Sequence, residues 1–188
     1  MEFKDYFKNI PCFETTRLKL TAFAREDMEE YFEILRDNRV QKYLGGGVPL
    51  FDKEPNITNW LNNVNDRLLK RRVVFTWCVR DKTDGRILGR IDLGGFVKRE
   101  MAEISYHYAY EVRGQGIATE AAKRVTEFGL SDLGLWRIQG IVHIQNAASI
   151  RVLEKVGYVR EGVLHHYPFG REFHDVVMMA RVKEKPPG

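Results

Sequence analysis

From Thr16 to Phe23 the chain reads Thr16-Arg17-Leu18-Lys19-Leu20-Thr21-Ala22-Phe23, an alternation of apolar and polar positions that predicts a first strand. The period then changes. Met28, Tyr31, Phe32 and Leu35 follow helical spacing, and Glu26 and Asp27 stand where acidic side chains suit the positive end of a helix. Gly45-Gly46-Gly47-Val48-Pro49 interrupts that pattern and predicts a loop. A second helix carries Ile57, Trp60, Leu61, Val64 and Leu68 on one face. Val73 to Arg80 and Arg86 to Leu93 predict a hairpin turning at Thr83-Asp84-Gly85. Met101 to Tyr110 predicts the next strand. A long helix follows from about Ile117 to Leu133, with Ile117, Ala121, Val125 and Phe128 facing inward. Arg137 to Ile144 is strand-like, Ala147 to Val156 is a short helix ended by Gly157, and Tyr158 to Leu164 and Val176 to Val182 close the sheet.

The order is β-α-α-β-β-β-α-β-α-β-β. The strand–helix–strand step from Met101 to Ile144 predicts a right-handed parallel crossover, and the hairpins predict antiparallel pairing elsewhere. The expected product is an α/β (α+β) fold: a mixed, mostly antiparallel twisted sheet of about seven strands with helices on both faces. A length of 188 residues, 44% hydrophobic and 30% charged, fits one ordinary globular core. Residues 14–182 read as that single domain, with an N-terminal extension at 1–13 and a tail at 183–188; the first dozen residues and the tail look loose.

Composition narrows the classes. No apolar run approaches the length of a membrane span, and Met1-Glu2-Phe3-Lys4-Asp5-Tyr6 lacks the apolar core of a secretory signal. Cys12 and Cys78 show neither metal spacing nor a disulfide framework. These features favour a cytoplasmic setting. The net charge of +4 suits a polyanionic ligand or the surface of a ribosome as well as plain solvation, and no zinc-finger spacing, RNA-binding signature or dense basic block accompanies it.

The most informative stretch is Val112-Arg113-Gly114-Gln115-Gly116-Ile117-Ala118-Thr119. It follows a strand and opens a helix, so its amides lie unpaired at the helix's positive end. Glycines at 114 and 116 remove the Cβ atoms that would keep a bulky anion away, and Arg113 adds a charge. This is a phosphate-binding arrangement. A Walker A loop would need Gly-Lys-Ser/Thr at its end, and a dinucleotide fingerprint would need a third small residue at position 119, where Thr stands. Arg113-x-x-Gly116-x-Ala118 fits the Arg/Gln-x-x-Gly-x-Gly/Ala pattern of the GNAT acetyltransferases; a glycine-rich turn without a ligand is the alternative.

The context extends that resemblance. Ala102-Glu103-Ile104-Ser105-Tyr106 before the loop and Thr119-Glu120-Ala121-Ala122 after it resemble the surrounding segments of the GNAT superfamily. Asn146-Ala147-Ala148-Ser149 and Leu153-Glu154-Lys155-Val156-Gly157-Tyr158-Val159-Arg160-Glu161-Gly162 resemble the ribosomal-protein alanine/serine N-acetyltransferase (Rim-type) branch and its antibiotic and polyamine relatives. Glu14-Thr15-Thr16-Arg17-Leu18-Lys19-Leu20 is similar to the same branch. The likeness covers about residues 14 to 182; its central blocks are specific for the superfamily and poorly specific for substrate.

The resemblance implies acetyl-CoA as cosubstrate and no metal. The strands Met101–Tyr110 and Arg137–Ile144 should splay, with the pantetheine arm in the gap beside the backbone of Tyr108 and Tyr110. The pyrophosphate should rest on Arg113, Gly114, Gln115, Gly116, Ile117, Ala118 and Thr119, with Asn146 as a further cofactor contact or a helix cap. Tyr110 stands where the family usually has a proline. Ser149 matches the branch's hydrogen-bond donor to the departing thiolate. Some members carry a glutamate base where Pro168 stands, and proline takes no proton, so Glu103 is the substitute base, with Ser105 and His107 on its face. His165, His166 and His174 are further candidates, and their spacing gives no metal site. Tyr43, the Gly45–Phe51 loop and Tyr167-Pro168-Phe169 should line the acceptor entrance.

An α-amino group titrates at about 7.7–8.0 against about 10.4 for lysine, so an N-terminal acceptor is already partly neutral near pH 7. Transfer to a primary amine, foremost the N-terminal α-amino group of a protein such as a ribosomal protein, is therefore the leading expectation. Acetylation of an aminoglycoside, polyamine or amino acid stands second, and an acyl-CoA-binding sensor without turnover third. No direct nucleic-acid or membrane contact is expected, and the chain is either a monomer or a homodimer.

Overall fold

The computed structural model describes residues 2–44, 54–169 and 172–183, without the side chains of 54–56 and 67. Eight strands form one sheet in the order β1-β2-β3-β4-β5-β6-β8-β7. They are β1 (Phe13–Glu14), β2 (Leu18–Thr21), β3 (Val74–Asp81), β4 (Ile87–Val97), β5 (Met101–Tyr108), β6 (Arg137–His143), β7 (Val159–Phe169) and β8 (Glu172–Val182). Every neighbouring pair is antiparallel except β5–β6. The extra strand relative to the sequence pattern is the two-residue β1, too short to show a period.

The helices are α1 (Met28–Arg36), α2 (Asn38–Gln41), α3 (Glu54–Asn62), α4 (Leu68–Lys70), α5 (Ile117–Glu127) and α6 (Ala147–Val156). They cover both faces because β3 is apolar on both: Trp77 and Val79 enter the core under α5 and α6, and Cys78 between them enters the core under α1. Ile117, Ala121, Val125 and Phe128 are all buried, as their spacing predicts.

Several boundaries differ from the sequence pattern for identifiable reasons. A π-helical segment, Asn63–Arg67, joins α3 to α4 and rotates the apolar face by a fraction of a turn. Leu69 is consequently buried where Leu68 was expected. Another π segment, Phe128–Asp132, finishes the long helix. The strand expected to reach Tyr110 ends at Tyr108, and a 3-10 turn, Tyr110–Val112, leads into the glycine loop. β7 runs past Leu164 to Phe169 by absorbing a bulge at His166, whose φ is +49°. The opening residues are not loose. Phe3–Lys8 form a 3-10 helix, and Phe7 is buried and stacked on Phe75 with ring centroids 4.3 Å apart. The Gly45–Pro49 loop and the tail after Lys183 lie outside the described residues.

The feature that matters most for function is the β5–β6 pair. Its parallel register comprises Met101↔Arg137, Ala102↔Ile138 and Glu103↔Gln139 and then stops, although both strands continue. β6 instead stays paired with β8 along its whole length, and β5 with β4 as far as Tyr108. The backbone groups of Ile104–Tyr108 that face β6 therefore lack a strand partner, and a gap opens in the middle of the sheet. Gly140 sits at the crotch, where a Cβ would lie 3.0 Å from a Leu153 methyl and 3.5 Å from an Ile104 methyl.

Candidate active site

The glycine loop is held in a conformation that only glycine adopts without strain. Gly114 has φ +78° and Gly116, the N-cap of α5, has φ +79°. The first helical hydrogen bond is Glu120 N–H to the Gly116 carbonyl, so the amides of Ile117, Ala118 and Thr119 keep no helical partner, and among the described residues no side chain caps them. Arg17 fastens the loop from below: its Nη1 donates to the Gln115 carbonyl at 2.8 Å, and its Nε pairs with Glu120 at 2.7 Å. Burial opposes ionisation of Glu120, but hydrogen bonds from Thr15 and Arg17 prevail and hold its carboxyl below the usual range. Free amides, a helix N-terminus and open space at Gly114 fit a pyrophosphate.

A cavity of about 300 Å³ runs from this loop to the gap in the sheet, lined among others by Arg113, Gly114, Gly116, Ile117, Ala118, Thr119 and Tyr108. Tyr110 and Gln115 were expected in the same place and do not line it. Tyr110 is covered by Arg39, 4.0 Å above its ring, and by Arg113 at 4.6 Å, while the Gln115 side chain donates to the Glu111 carbonyl at 2.8 Å. Arg113 also donates to the Arg39 carbonyl at 2.9 Å, which ties the loop to α2. The hydroxyl of Tyr108 is buried and has no hydrogen-bond partner among the described residues.

On the other side of the gap lies a cavity of about 460 Å³, and both cavities are bounded by Tyr43, Leu44, Tyr106, His107, Asn146 and Ser149. Asn146 Oδ1 accepts the Ser149 amide at 3.2 Å, so it caps α6 while lining both cavities. Ser149 Oγ lies 3.0 Å from the Tyr106 hydroxyl, which also reaches the Ser149 carbonyl at 3.3 Å.

The floor of the larger cavity follows from the β4–β5 register, which sets Arg90 opposite His107, Asp92 opposite Ser105 and Gly94 opposite Glu103. Arg90 Nε lies 2.9 Å from both carboxylate oxygens of Asp92. His107 Nε2 is 2.9 Å from the Tyr31 hydroxyl. Burial, reinforced by the charge of Arg90, lowers the His107 pKa to about 3, so the ring is neutral. Burial likewise pushes the Tyr31 phenol up to about 12. Glu103 is half-buried, and desolvation raises its carboxyl above the usual range against an opposing hydrogen bond from Gln139. No ion pair is formed by Glu103 among the described residues.

Pro168 lines this cavity with Tyr167 and Phe169, in place of a proton acceptor. His165 and His166 line neither cavity; His165 pairs with Asp175 at 2.9 Å, and His174 lies 3.2 Å from Glu172. Tyr43 bounds both cavities as expected, and the Gly45–Phe51 loop is outside the described residues. Three features escaped the sequence: Tyr106 beside Ser149, the Arg90–Asp92 pair, and His143 in the cavity wall. His143 Nδ1 accepts the Gln145 amide at 3.1 Å, which places the proton of the neutral ring on Nε2. Desolvation, His174 and Lys42 all lower its pKa. Strand alternation could have placed Tyr106 opposite the Glu103 face, but its meeting with Ser149 spans too much sequence for any spacing to reveal. Among the described residues no group of His, Cys, Asp and Glu could hold a metal ion.

Comparison with known proteins agrees with this geometry. The profile of the acetyltransferase (GNAT) domain matches residues 17–159. The uncharacterized N-acetyltransferase YoaA of Bacillus subtilis (strain 168) is 29% identical over 162 residues, 85% of this chain and 89% of that one. A crystal structure of a GNAT-family acetyltransferase from Bacillus anthracis superposes with TM-score 0.77 at 25% identity, covering 92% of this chain and 98% of the other. The ribosomal-protein-S5-alanine acetyltransferase of Vibrio fischeri shares the fold with TM-score 0.76 at 20% identity, covering 94% of this chain and all, 100%, of the other.

Proposed function

Because the chain belongs to the acetyltransferase (GNAT) family, whose members draw on acetyl-CoA, we propose that it transfers an acetyl group to the N-terminal α-amino group of a protein, such as a ribosomal protein. The observation that carries this reading is the wall common to both cavities: Ser149 and Tyr106 stand where a phosphate-side channel and an acceptor-side cavity meet through the splayed strands.

Arg113, the amides of residues 116–119 and the Tyr108 segment would hold acetyl-CoA, which supplies an acetyl group on a thioester. The rest is the work of this chain's residues. The backbone groups of Ile104–Tyr108 that face the gap offer N–H groups to polarise the acyl carbonyl. Glu103, its carboxyl held above the usual range by burial, takes the proton released by the amine directly or through a water. The Ser149 hydroxyl donates to the departing sulfur, and a thiol of pKa near 8.5 needs no stronger acid. Amine and thioester meet in one ternary complex, with the two cavities back to back across the wall that holds Tyr106 and Ser149.

Charge supports a peptide over a polyamine. The cavity lining holds Arg90, Asp92 and Glu103, and with Arg90 paired to Asp92 this is enough to attract one amine, whereas the charge of exposed Lys42 reaches His143 in the same wall and disfavours further ammonium groups. The second reading, a small cationic amine, draws on the same Glu103, which forms no ion pair among the described residues. A panel of N-terminal peptides, spermidine and an aminoglycoside, incubated with acetyl-CoA and analysed by mass spectrometry, tests both. Acetyl on the peptide α-amino group is the expected result. Acetylspermidine with unmodified peptides would replace the first reading by the second, and tight acetyl-CoA binding without any product would leave a sensor.

A further inference from the structure

Resting on that reading, we propose that Tyr106 is a positioning residue of the transfer step: its phenol O–H, donated to Ser149 Oγ, turns the serine proton toward the thioester sulfur.

Two hydroxyls 3.0 Å apart share two protons, and the Ser149 carbonyl, 3.3 Å from the Tyr106 oxygen, offers a further acceptor. In one arrangement Ser149 donates to Tyr106 and Tyr106 donates to the Ser149 carbonyl, so the serine proton points away from the gap. In the other, Tyr106 donates to Ser149 Oγ and the serine proton is free. The second is favoured as charge develops on sulfur, because a hydrogen bond to an anion is roughly twice as strong as a neutral one and the upstream donor strengthens it further.

The surroundings fix both partners. Tyr106 lies on β5 beyond the last β5–β6 pair, within the gap, and its ring packs against the core and beside Tyr108 at 5.9 Å. Ser149 is pinned by the Asn146 cap on its amide. No proton need be lost by either hydroxyl. Burial holds the phenol well above its ordinary pKa, which disfavours a tyrosinate. The C–S bond breaks with its electron pair going to sulfur while the C–N bond forms, and the amine proton leaves through Glu103. The thiolate departs hydrogen-bonded to Ser149 and takes its proton from water.

Two measurements test this on the whole chain. The first needs no acceptor: the thiol of bound CoA is titrated by its ultraviolet thiolate absorbance. In the wild type it should titrate below its ordinary value of about 8.5, and Tyr106→Phe should move it upward. The second is a double-mutant cycle. Tyr106→Phe should lower kcat by about 5- to 10-fold, the worth of one neutral hydrogen bond, with Kd for CoA within about twofold. In a Ser149→Ala background the same change should cost nothing further. An identical thiol titration in wild type and Tyr106→Phe, or equal losses in both backgrounds, overturns the relay and leaves the proposed function standing. A wild type that does not bind CoA removes both.

Discussion

Gly116→Glu separates the loop's role in folding from its role in binding. Gly116 has φ +79°, a left-handed conformation that costs a residue with a Cβ about 1–2 kcal/mol. The new Cβ would stand 3.4 Å from Arg17 Nη2, an ordinary van der Waals distance, so no backbone has to move. An acidic residue at a helix N-terminus returns about 0.3–1 kcal/mol. The net loss is therefore about 1 kcal/mol, a fall in Tm of about 2–4 °C for a chain of this size. Binding suffers far more. A carboxylate roughly 5 Å from each pyrophosphate charge, at an effective dielectric near ~20, costs about 3 kcal/mol per pair, more than a hundredfold in Kd. Thermal unfolding with and without CoA reads both effects. At a CoA concentration about 100 times Kd the wild type gains about 2.7 kcal/mol and its Tm rises; the variant should show no rise. Gly85→Glu is the control, since Gly85 has φ +78°, open space around it and a place in the remote β3–β4 turn. It should lose similar stability and keep its response to CoA. A Gly116→Glu variant that binds CoA like the wild type would refute the assignment of the loop.

Glu103→Gln should lower kcat by about 10²- to 10⁴-fold and abolish the rise of kcat with pH that the Glu103 titration imposes; an unchanged pH profile would remove Glu103 as the base. The same substitution should not destabilise the fold at pH 7. The folded pKa of Glu103 is raised, so its stabilising contribution is present below the unfolded pKa and lost as pH climbs through the folded one, and a neutral glutamine escapes that loss. Tm measured at pH 7 checks the sign, and a lower value for the variant would contradict it. Arg17→Ala should raise Kd for acetyl-CoA about 5- to 10-fold by releasing the Gln115 carbonyl, with a small effect on Tm because the Arg17 side chain is 47% exposed; calorimetric titration reads the first and unfolding the second. Asp27→Ala should cost about 3 kcal/mol, a Tm lower by about 6–12 °C, because Asp27 is buried, pairs with Arg80 and accepts the Ala24 amide at 2.6 Å. A loss below about 1 kcal/mol would show that the pair carries little of the fold.

Periodicity revealed elements whose burial is one-sided and uninterrupted. The inward face of α5, the span of α6 from Ala147 to Val156 and its termination at Gly157, where φ is +92°, are all visible as spacing and capping chemistry. Where backbone geometry departs from a regular period, spacing misleads. The π segment at Asn63–Arg67 exchanges Leu68 for Leu69, and the bulge at His166 lets β7 run on to Phe169. The helix at Phe3–Lys8 is too short to carry a period and is fixed by tertiary stacking of Phe7 on Phe75. The candidate site divides the same way. A contiguous loop from Arg113 to Thr119 can be read from glycines and a helix start, whereas Tyr106 with Ser149, and His143 with the cavity wall, depend on how distant strands and helices meet.

Direct transfer requires amine and thioester to meet at the splayed strands. Its most direct test is the release of free thiol from acetyl-CoA by the purified chain, followed against an N-terminal peptide over a matrix of both concentrations. Amine-dependent release with intersecting double-reciprocal lines is predicted, as for a ternary complex. Parallel lines would contradict direct transfer and demand an acetylated protein, and release indifferent to the amine would contradict the acceptor cavity.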